Sequence, residues 1–348
     1  MGKKVTLEDI ARAAGVSKNT VSTVLRNRPG ASEAVRRRIL SLAQEMGYSR
    51  AQSGAAHPVS DTAMRYLLLL FPEALGLHAR YTPGVGLIPR LYFHMQHIAQ
   101  ERGCIAITYL LRPDEEKSGI LPPVLNEMRF TGIATFGSIS PEYISLLTQR
   151  GYHVVTVHEH VEGLQVDAVI MDDVYAGYVM TEHLIQMGHT RIAYLGEKYY
   201  LSKYMDRWEG YCRAMIEHKL PIRQNAYSEI RLRVQENPNE LLRLHESLSV
   251  MDPMPTAIVC GEDFTASRVR TVLGQLGYRV PEDISLVGFD DVYGSDYGNF
   301  PITTYYADYI EIAKTALDLL LQPDRKPRKV IIYGEPIFRS SVRRLTDG

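Results

Sequence analysis

From Met64 onward the chain alternates strand-sized apolar runs with longer stretches whose apolar residues return every three or four positions. That alternation leaves few possible folds, because strands separated by helical crossovers pair in parallel and need helices on both faces. Strands are expected at Tyr66–Phe71, Cys104–Leu110, Gly132–Phe136, His153–His158, Ala168–Met171, Arg191–Leu195, Ala257–Cys260 and Ser285–Gly288. Helices are expected at Arg90–Arg102, Pro141–Arg150, Tyr175–Met187, Arg207–Lys219, Asn237–Val250, Thr265–Leu276 and Tyr309–Leu321. Sheets of this kind bind ligands beyond the carboxyl ends of their strands.

The first fifty residues follow a different rule. They carry ten Lys or Arg against four Asp or Glu, out of 39 and 40 in the whole chain, whose formal net charge is -1. A basic head on an acidic body fits a polyanion-binding module joined to a domain that does not bind DNA. Three short helices can be read in it. Thr6 caps the first, with acidic Asp9 three positions on, and Gly15 stops it. Ser17 caps a second helix, Ser17 to Leu25, with Val21, Val24 and Leu25 inward. A turn at Asn27–Gly30 leads to a third helix, capped by Ser32, with Val35, Ile39, Leu42, Ala43 and Met46 in one stripe.

Small residues and Gly15 between the first two helices fit a helix-turn-helix whose second helix enters the DNA major groove by its N-terminal end. Lys18, Asn19, Ser22 and Thr23 face outward there. Lys donates to guanine O6 and N7, and Asn pairs bidentately with adenine. Ser17, Thr20 and Arg36 are cast as phosphate contacts, which fix register without reading sequence. Thr6 is counted with this DNA-facing set.

The run from Val5 to Ser22, continued by Ser32, Val35, Arg36, Ile39, Ala43 and Gly47-Tyr48, closely resembles the DNA-binding head of the lac repressor/galactose repressor (LacI/GalR) family. Met171-Asp172-Asp173, His183 to Ala193, Arg207 to Tyr211, Val280 to Asp291 and the ending Phe338 to Ser341 resemble family landmarks in the same order. The resemblance implies an α-helical helix-turn-helix head plus an α/β, periplasmic-binding-protein-like sensor of two doubly wound lobes. Expected boundaries are a head at 1–48, a linker at 49–63 and an effector-binding and dimerisation domain at 64–348. Crossings between the lobes are implied near Asp172–Val174, Thr304–Ala307 and Tyr333–Pro336.

The resemblance also makes Arg207 and Asp290 cleft residues suited to polyhydroxylated ligands, since Arg offers a fork of donors and Asp accepts two hydroxyls. Asp263, preceded by Glu262, matches a family Asn-Asp, and Glu159 stands where the family often has Asp. For Glu262 and Asp263, capping of the helix that follows is an equal reading. Tyr199, Tyr200, Tyr204 and Trp208 gather near Arg207, and one or two of them are candidates to stack on a sugar ring; with 22 tyrosines in the chain, the rest are structural. Implied partners are a palindromic double-stranded DNA operator, a small-molecule effector, a sugar or related polar metabolite, and a second copy in a homodimer.

Two departures stand out. The family's hinge pattern lapses at Arg50–His57, where its proline and wedge leucine are missing. Gly54 disfavours a helix by about 1 kcal/mol, and Pro58 turns His57 away from helix. An ordinary leucine-wedge kink is therefore not expected. The connection from Glu73 to Pro89 is also long; it reads either as a loop over the cleft mouth or as a surface excursion.

No apolar run is long enough for a bilayer and no secretory signal leads the chain. Three scattered cysteines argue for reduced thiols and a cytoplasmic location. His94 with His97, and His158-Glu159-His160, lack the further ligands a metal needs, so no metal and no cofactor are expected. No phosphate loop, nucleophile elbow or zinc-protease helix occurs, and no enzyme activity is expected. The alternatives are a solute-binding receptor, which would need a secretory signal, and a sugar-processing enzyme with a DNA-binding appendage.

Overall fold

The structure, a computed structural model, describes residues 6–25, 31–32, 35–36, 38–39, 41–42, 64–73, 87–196, 201–222, 240–292, 301–322 and 326–345. The linker at 49–63 with Gly54, His57 and Pro58, the turn at Asn27–Gly30, Ala43, Met46, Tyr199, Tyr200 and most of the 73–89 connection lie outside the described residues. The chain divides into two compact units, Met1–Ala63 and Met64–Gly348.

In the first unit, α1 (Leu7–Ala14) begins with a complete capping box. The Thr6 hydroxyl accepts from the Asp9 amide at 3.3 Å, and Asp9 Oδ2 accepts from the Thr6 amide at 2.9 Å. Gly15 closes the helix in the left-handed conformation, φ 67°, which glycine adopts without a Cβ penalty. α2 (Lys18–Leu25) follows, capped by Ser17 Oγ, which accepts from the Thr20 amide at 3.1 Å. Ile10, Ala11, Ala14, Val21, Val24 and Ile39 are buried together, and Val35 and Leu42 pack against them.

The second unit contains two sheets. One has six parallel strands in the order β10-β5-β4-β3-β1-β2: β1 (Arg65–Pro72), β2 (Cys104–Leu111), β3 (Gly132–Phe136), β4 (Val154–Val157), β5 (Asp167–Met171) and β10 (Lys329–Ile332). The other runs β11-β9-β8-β7-β6, from β6 (Ile192–Leu195), β7 (Ala257–Cys260), β8 (Ser285–Phe289), β9 (Thr303–Tyr306) and β11 (Glu335–Ile337). Strand β11 is antiparallel to β9. Alternate residues serve opposite faces: Leu67 and Leu69 join one buried cluster, Leu68 and Leu70 another, and Ala257 and Val259 part from Ile258 and Cys260 in the same way.

Strand membership divides the unit into two lobes, and the chain passes between them three times, between Met171 and Asp173, between Tyr306 and Tyr309, and between Ile332 and Glu335. These lie at the crossings implied by the resemblance. Strands β9, β10 and β11, which flank the last two crossings, were not among the expected strands. Thr303-Thr304-Tyr305-Tyr306 is too polar to read as an apolar run, and β10 and β11 are short edge strands. The short helices Pro113–Ser118 and Val124–Glu127 were also unforeseen.

A close helix pairing joins Asp173–Gln186 and Ser202–Glu217 in the second lobe. Two glycines permit it. A Cβ on Gly177 would lie 2.2 Å from the Arg207 carbonyl oxygen, and one on Gly210 would lie 2.0 Å from that of Val174. The obstacle is backbone in both cases, so no side chain can move aside. We predict that Gly210→Ala destabilises the protein by at least about 1–3 kcal/mol. Gly274→Ala, inside the helix Asp263–Gln275 with nothing within 4 Å of the new methyl, should stabilise it, by about 0.4–1 kcal/mol. Urea midpoints of the two variants read both signs; equal shifts would refute the close-approach argument.

Candidate functional site

The helix Ser202–Glu217 begins with its first two turns against the carboxyl ends of the second lobe's strands, and this brings a cation into the interior. Arg207 is fully buried. Its Nε donates to Asp173 Oδ1 at 2.7 Å, Nη1 to the Gly261 carbonyl at 2.7 Å and Nη2 to Asp290 Oδ1 at 2.6 Å. Asp173 opens the helix after the first crossing, Gly261 follows β7, and Asp290 follows β8. One guanidinium thus ties three segments together. Lys203, one turn earlier and also buried, donates to Asp290 Oδ2 at 3.4 Å.

Burial by itself would raise the Asp290 carboxyl, but Arg207 and Lys203 overcome it and hold the group well below the usual carboxylate range. Burial dominates at Asp173 and pushes it up to about 6, against the pull of Arg207. The backbone at Asp290 and Asp291 is left-handed, φ 89° and 45°. For non-glycine residues this costs about 1–3 kcal/mol each and persists only where surrounding contacts over-determine it. Those contacts are present. The Asp290 amide donates to the Tyr305 carbonyl at 2.9 Å, Arg339 pairs with Asp291 at 2.8 Å, and the Val292 amide donates to Asp263 Oδ2 at 3.1 Å.

Of the five expected effector residues, Glu159, Glu262, Asp263 and Asp290 follow strand ends and Arg207 sits on a helix, and they play unlike parts. Arg207 spends each of its nitrogens on the protein, and Asp290 answers it. Asp263 does not cap its helix with its side chain; it accepts from Thr304 Oγ1 at 2.7 Å and braces Val292. Gly288 makes room for it, since a Cβ there would lie 2.2 Å from Asp263 Oδ1. Glu262 accepts from the Tyr204 hydroxyl at 2.9 Å. Trp208 turns into the core against Tyr194 and Tyr211, with ring centroids 5.3 and 5.1 Å away.

Glu159 is different. It follows β4 in the first lobe and reaches across to the second, where its Oε2 accepts from the Ser202 amide at 3.0 Å and hydroxyl at 2.7 Å. Its Oε1 is buried and has no hydrogen-bond partner among the described residues. Glu159, Thr135, Ser138, Thr156, His160 and Ser202 line part of a cavity of about 180 Å³. Next to Glu159, His158 is buried with φ 62°, neither ring nitrogen hydrogen-bonded among the described residues, and its Nε2 4.0 Å from Asp290. Burial, then Lys203, push it down to about 3, so the ring is neutral.

Asp173, Lys203 and His158 belong to this site without having been singled out for it. Asp173 stood within a landmark motif and His158 within a rejected metal cluster. Lys203 gave no signal, because its partner Asp290 is 87 residues away.

In the first unit, Ser17, Lys18 and Asn19 are exposed and Thr20, Ser22 and Thr23 half-buried. Lys18 Nζ pairs with Glu8 at 3.1 Å, both side chains more than half exposed. Such a pair is worth about 0–1 kcal/mol, so Lys18 exchanges it readily for another acceptor. The Thr6 hydroxyl is engaged in its capping box, and Arg36 is half-buried in the third helical segment.

Two outcomes follow from the buried charges. Arg207→Met leaves Asp173 and Asp290 without their cation and should destabilise by about 3–5 kcal/mol; thermal and urea unfolding of the full chain measure it. Glu159 is pushed by burial up to about 7 from an ordinary 4.5. Its folded state therefore holds a proton more tightly than its unfolded state. The resulting stability is complete below about pH 4.5 and lost as pH rises through 7. Glu159→Gln should remove that loss, its advantage over the parent growing to roughly 3 kcal/mol by pH 8. Parallel stability curves for the two proteins would contradict this.

Residues 6–51 match the lacI family of bacterial regulatory proteins, and residues 181–342 match a periplasmic binding protein-like domain. Among curated relatives, the HTH-type transcriptional repressor PurR of Vibrio parahaemolyticus is 26% identical over 346 residues, covering 98% of this chain and 99% of the relative. The probable HTH-type transcriptional repressor ExuR of Bacillus subtilis is 27% identical over 353 residues, with the same shares covered. Among solved structures, the lac repressor dimer bound to operator and the anti-inducer ONPF superposes with a TM-score of 0.65, 19% identity and coverage of 98% of this chain and 100% of that one. A transcriptional regulator CelR–cellobiose complex gives 0.67, 21%, 97% and 100%. These relatives are all named as regulators of transcription. With its head matched to the lacI family of bacterial regulatory proteins and its body to a periplasmic binding protein-like domain, in order along the whole length of named repressors, the chain has the domain organisation of a lacI-type transcriptional regulator.

Proposed function

We propose that this regulator reads a palindromic double-stranded DNA operator with two copies of its head, and that a polar small molecule in the cleft sets its affinity. The observation that carries the DNA reading is the start of α2. Ser17 caps the helix, so the amides there are ordered, and Lys18 and Asn19 project from the same turn. A two-fold dimer presents two such turns and so recognises two related half-sites. The proposed division is a head at 1–48, a linker at 49–63 and an effector-binding and dimerisation domain at 64–348.

For the effector, the support is the buried Glu159 Oε1, which lacks a partner among the described residues and belongs to the cavity lining. An acceptor in that position, with Ser138, Thr135 and Thr156 nearby, suits a hydroxyl-rich molecule such as a sugar or related polar metabolite. Arg207 and Asp290 contribute by fixing the cleft wall. The protein acts by binding and release, with no turnover. Its place is the cytoplasm, where operator DNA lies; among the described residues no helix is long and apolar enough to cross a membrane.

Selection from random DNA duplexes by the purified full chain, at fixed salt and with and without metabolite mixtures, tests the reading. A palindrome should be enriched. Lys18→Ala and Asn19→Ala should each lose about 1–3 kcal/mol of discrimination, roughly ten- to hundredfold, at one symmetric pair of positions. Uniform weakening across all sequences would make both residues phosphate contacts instead, and no enrichment under any condition would overturn the assignment.

A further inference from the structure

Three consecutive carbonyls at the end of β8 are held from the other lobe. Arg90, on the helix Leu87–Glu101 that follows β1, donates from Nη1 to the Asp291 carbonyl at 3.0 Å and from Nη2 to that of Val292 at 3.2 Å. Tyr309, first residue of the helix Tyr309–Leu320, donates its hydroxyl to the Asp290 carbonyl. Both helices pack against each other, and Tyr309–Leu320 packs on the strands of the first lobe's sheet. The carbonyls belong to the second lobe, in the segment whose left-handed residues Asp290 and Asp291 need outside contacts to persist.

We infer that Arg90 is a positioning residue, a clasp that holds the two lobes together by gripping the strained turn behind Asp290. Two features give it leverage. Arg90 reaches the turn from the helix after β1 while Tyr309 grips it from the start of the helix after the second crossing, so the turn is tied to two elements of the first lobe at once. The carbonyls it grips also adjoin the carboxylate that pairs with Arg207 and Lys203. Lobe closure and the charge arrangement of the cleft wall are therefore one mechanical element. The bonds are all between protein atoms, so closure has a component that the effector adds to or opposes and does not create. The inference rests on reading the cleft as the regulatory site.

The test reads closure directly and involves no ligand or DNA, so its failure leaves the proposed function untouched. Two amides bond across the lobes at a separate place: Ser202 donates to Glu159 Oε2 at 3.0 Å, and His160 donates to Ser202 Oγ at 3.3 Å. Native-state hydrogen exchange of the full chain follows both. Ile133 and Leu286, whose amides donate to His153 and Ser341 within one lobe each, are internal standards. In Arg90→Leu, exchange at Ser202 and His160 should accelerate by on the order of tenfold or more while the standards keep their rates. Arg90→Lys, which keeps one donor group in place of a fork, should fall between. Tyr309→Phe, which removes a hydroxyl without changing the ring, should move the same two amides the same way and serves if Arg90→Leu does not fold. Unchanged exchange at Ser202 and His160 would overturn the clasp. So would equal acceleration at all four amides, which would make Arg90 a contributor to overall stability alone.

Discussion

The second unit depends on a guanidinium with no access to water. Removing an arginine from solvent costs several kcal/mol, and attraction to one carboxylate seldom compensates. Arg207 meets this with two carboxylates and a carbonyl, each within 2.7 Å. That arrangement requires Asp173, Gly261 and Asp290 to converge from separate segments. Their convergence requires the two glycines that let the helices Asp173–Gln186 and Ser202–Glu217 touch backbone to backbone. The ion cluster and the helix packing are thus mutually necessary: loosening the helices strands the charges, and deleting the cation leaves the strand ends without their tie.

Much of the fold could be read from residue pattern because parallel strands buried on both faces must be almost continuously apolar. Leu67 to Phe71 and Ala257 to Cys260 meet that requirement and stood out. Thr303 to Tyr306 did not, since its two threonines bond to Asp263 and to Arg339 in place of packing as hydrocarbon. The helix carrying Arg207 begins five residues earlier than expected, at Ser202. Its first turns hold Lys203 and Asp206, which look like loop residues until a buried partner is known. Local pattern reports what a residue does to its neighbours in sequence, and Lys203 acts on a residue 87 positions away.

The same distinction separates the signals behind the proposed DNA-facing residues from those behind the proposed effector residues. A capped helix start is a local device: Ser17 and Thr20 are three apart, and their bond follows from helical geometry. A cleft between lobes is assembled from the ends of distant strands, so residue type alone does not separate a ligand contact from a wall support. Arg207 illustrates the difficulty. Its fork of donors suits a polyol, yet that fork is applied to Asp173, Gly261 and Asp290, while Glu159 is an acceptor that keeps spare capacity among the described residues.

Regulation then needs little energy to be effective. Coupling between effector and DNA sites is typically about 1–3 kcal/mol, the size of one or two hydrogen bonds to charged groups. The turn at Asp290–Val292 concentrates several such bonds in three residues, and its left-handed backbone is held against its own preference. Under the proposed reading, a ligand that adds one contact near Glu159, or removes the one between Glu159 and Ser202, shifts the balance between closed and open lobes by an amount of that size.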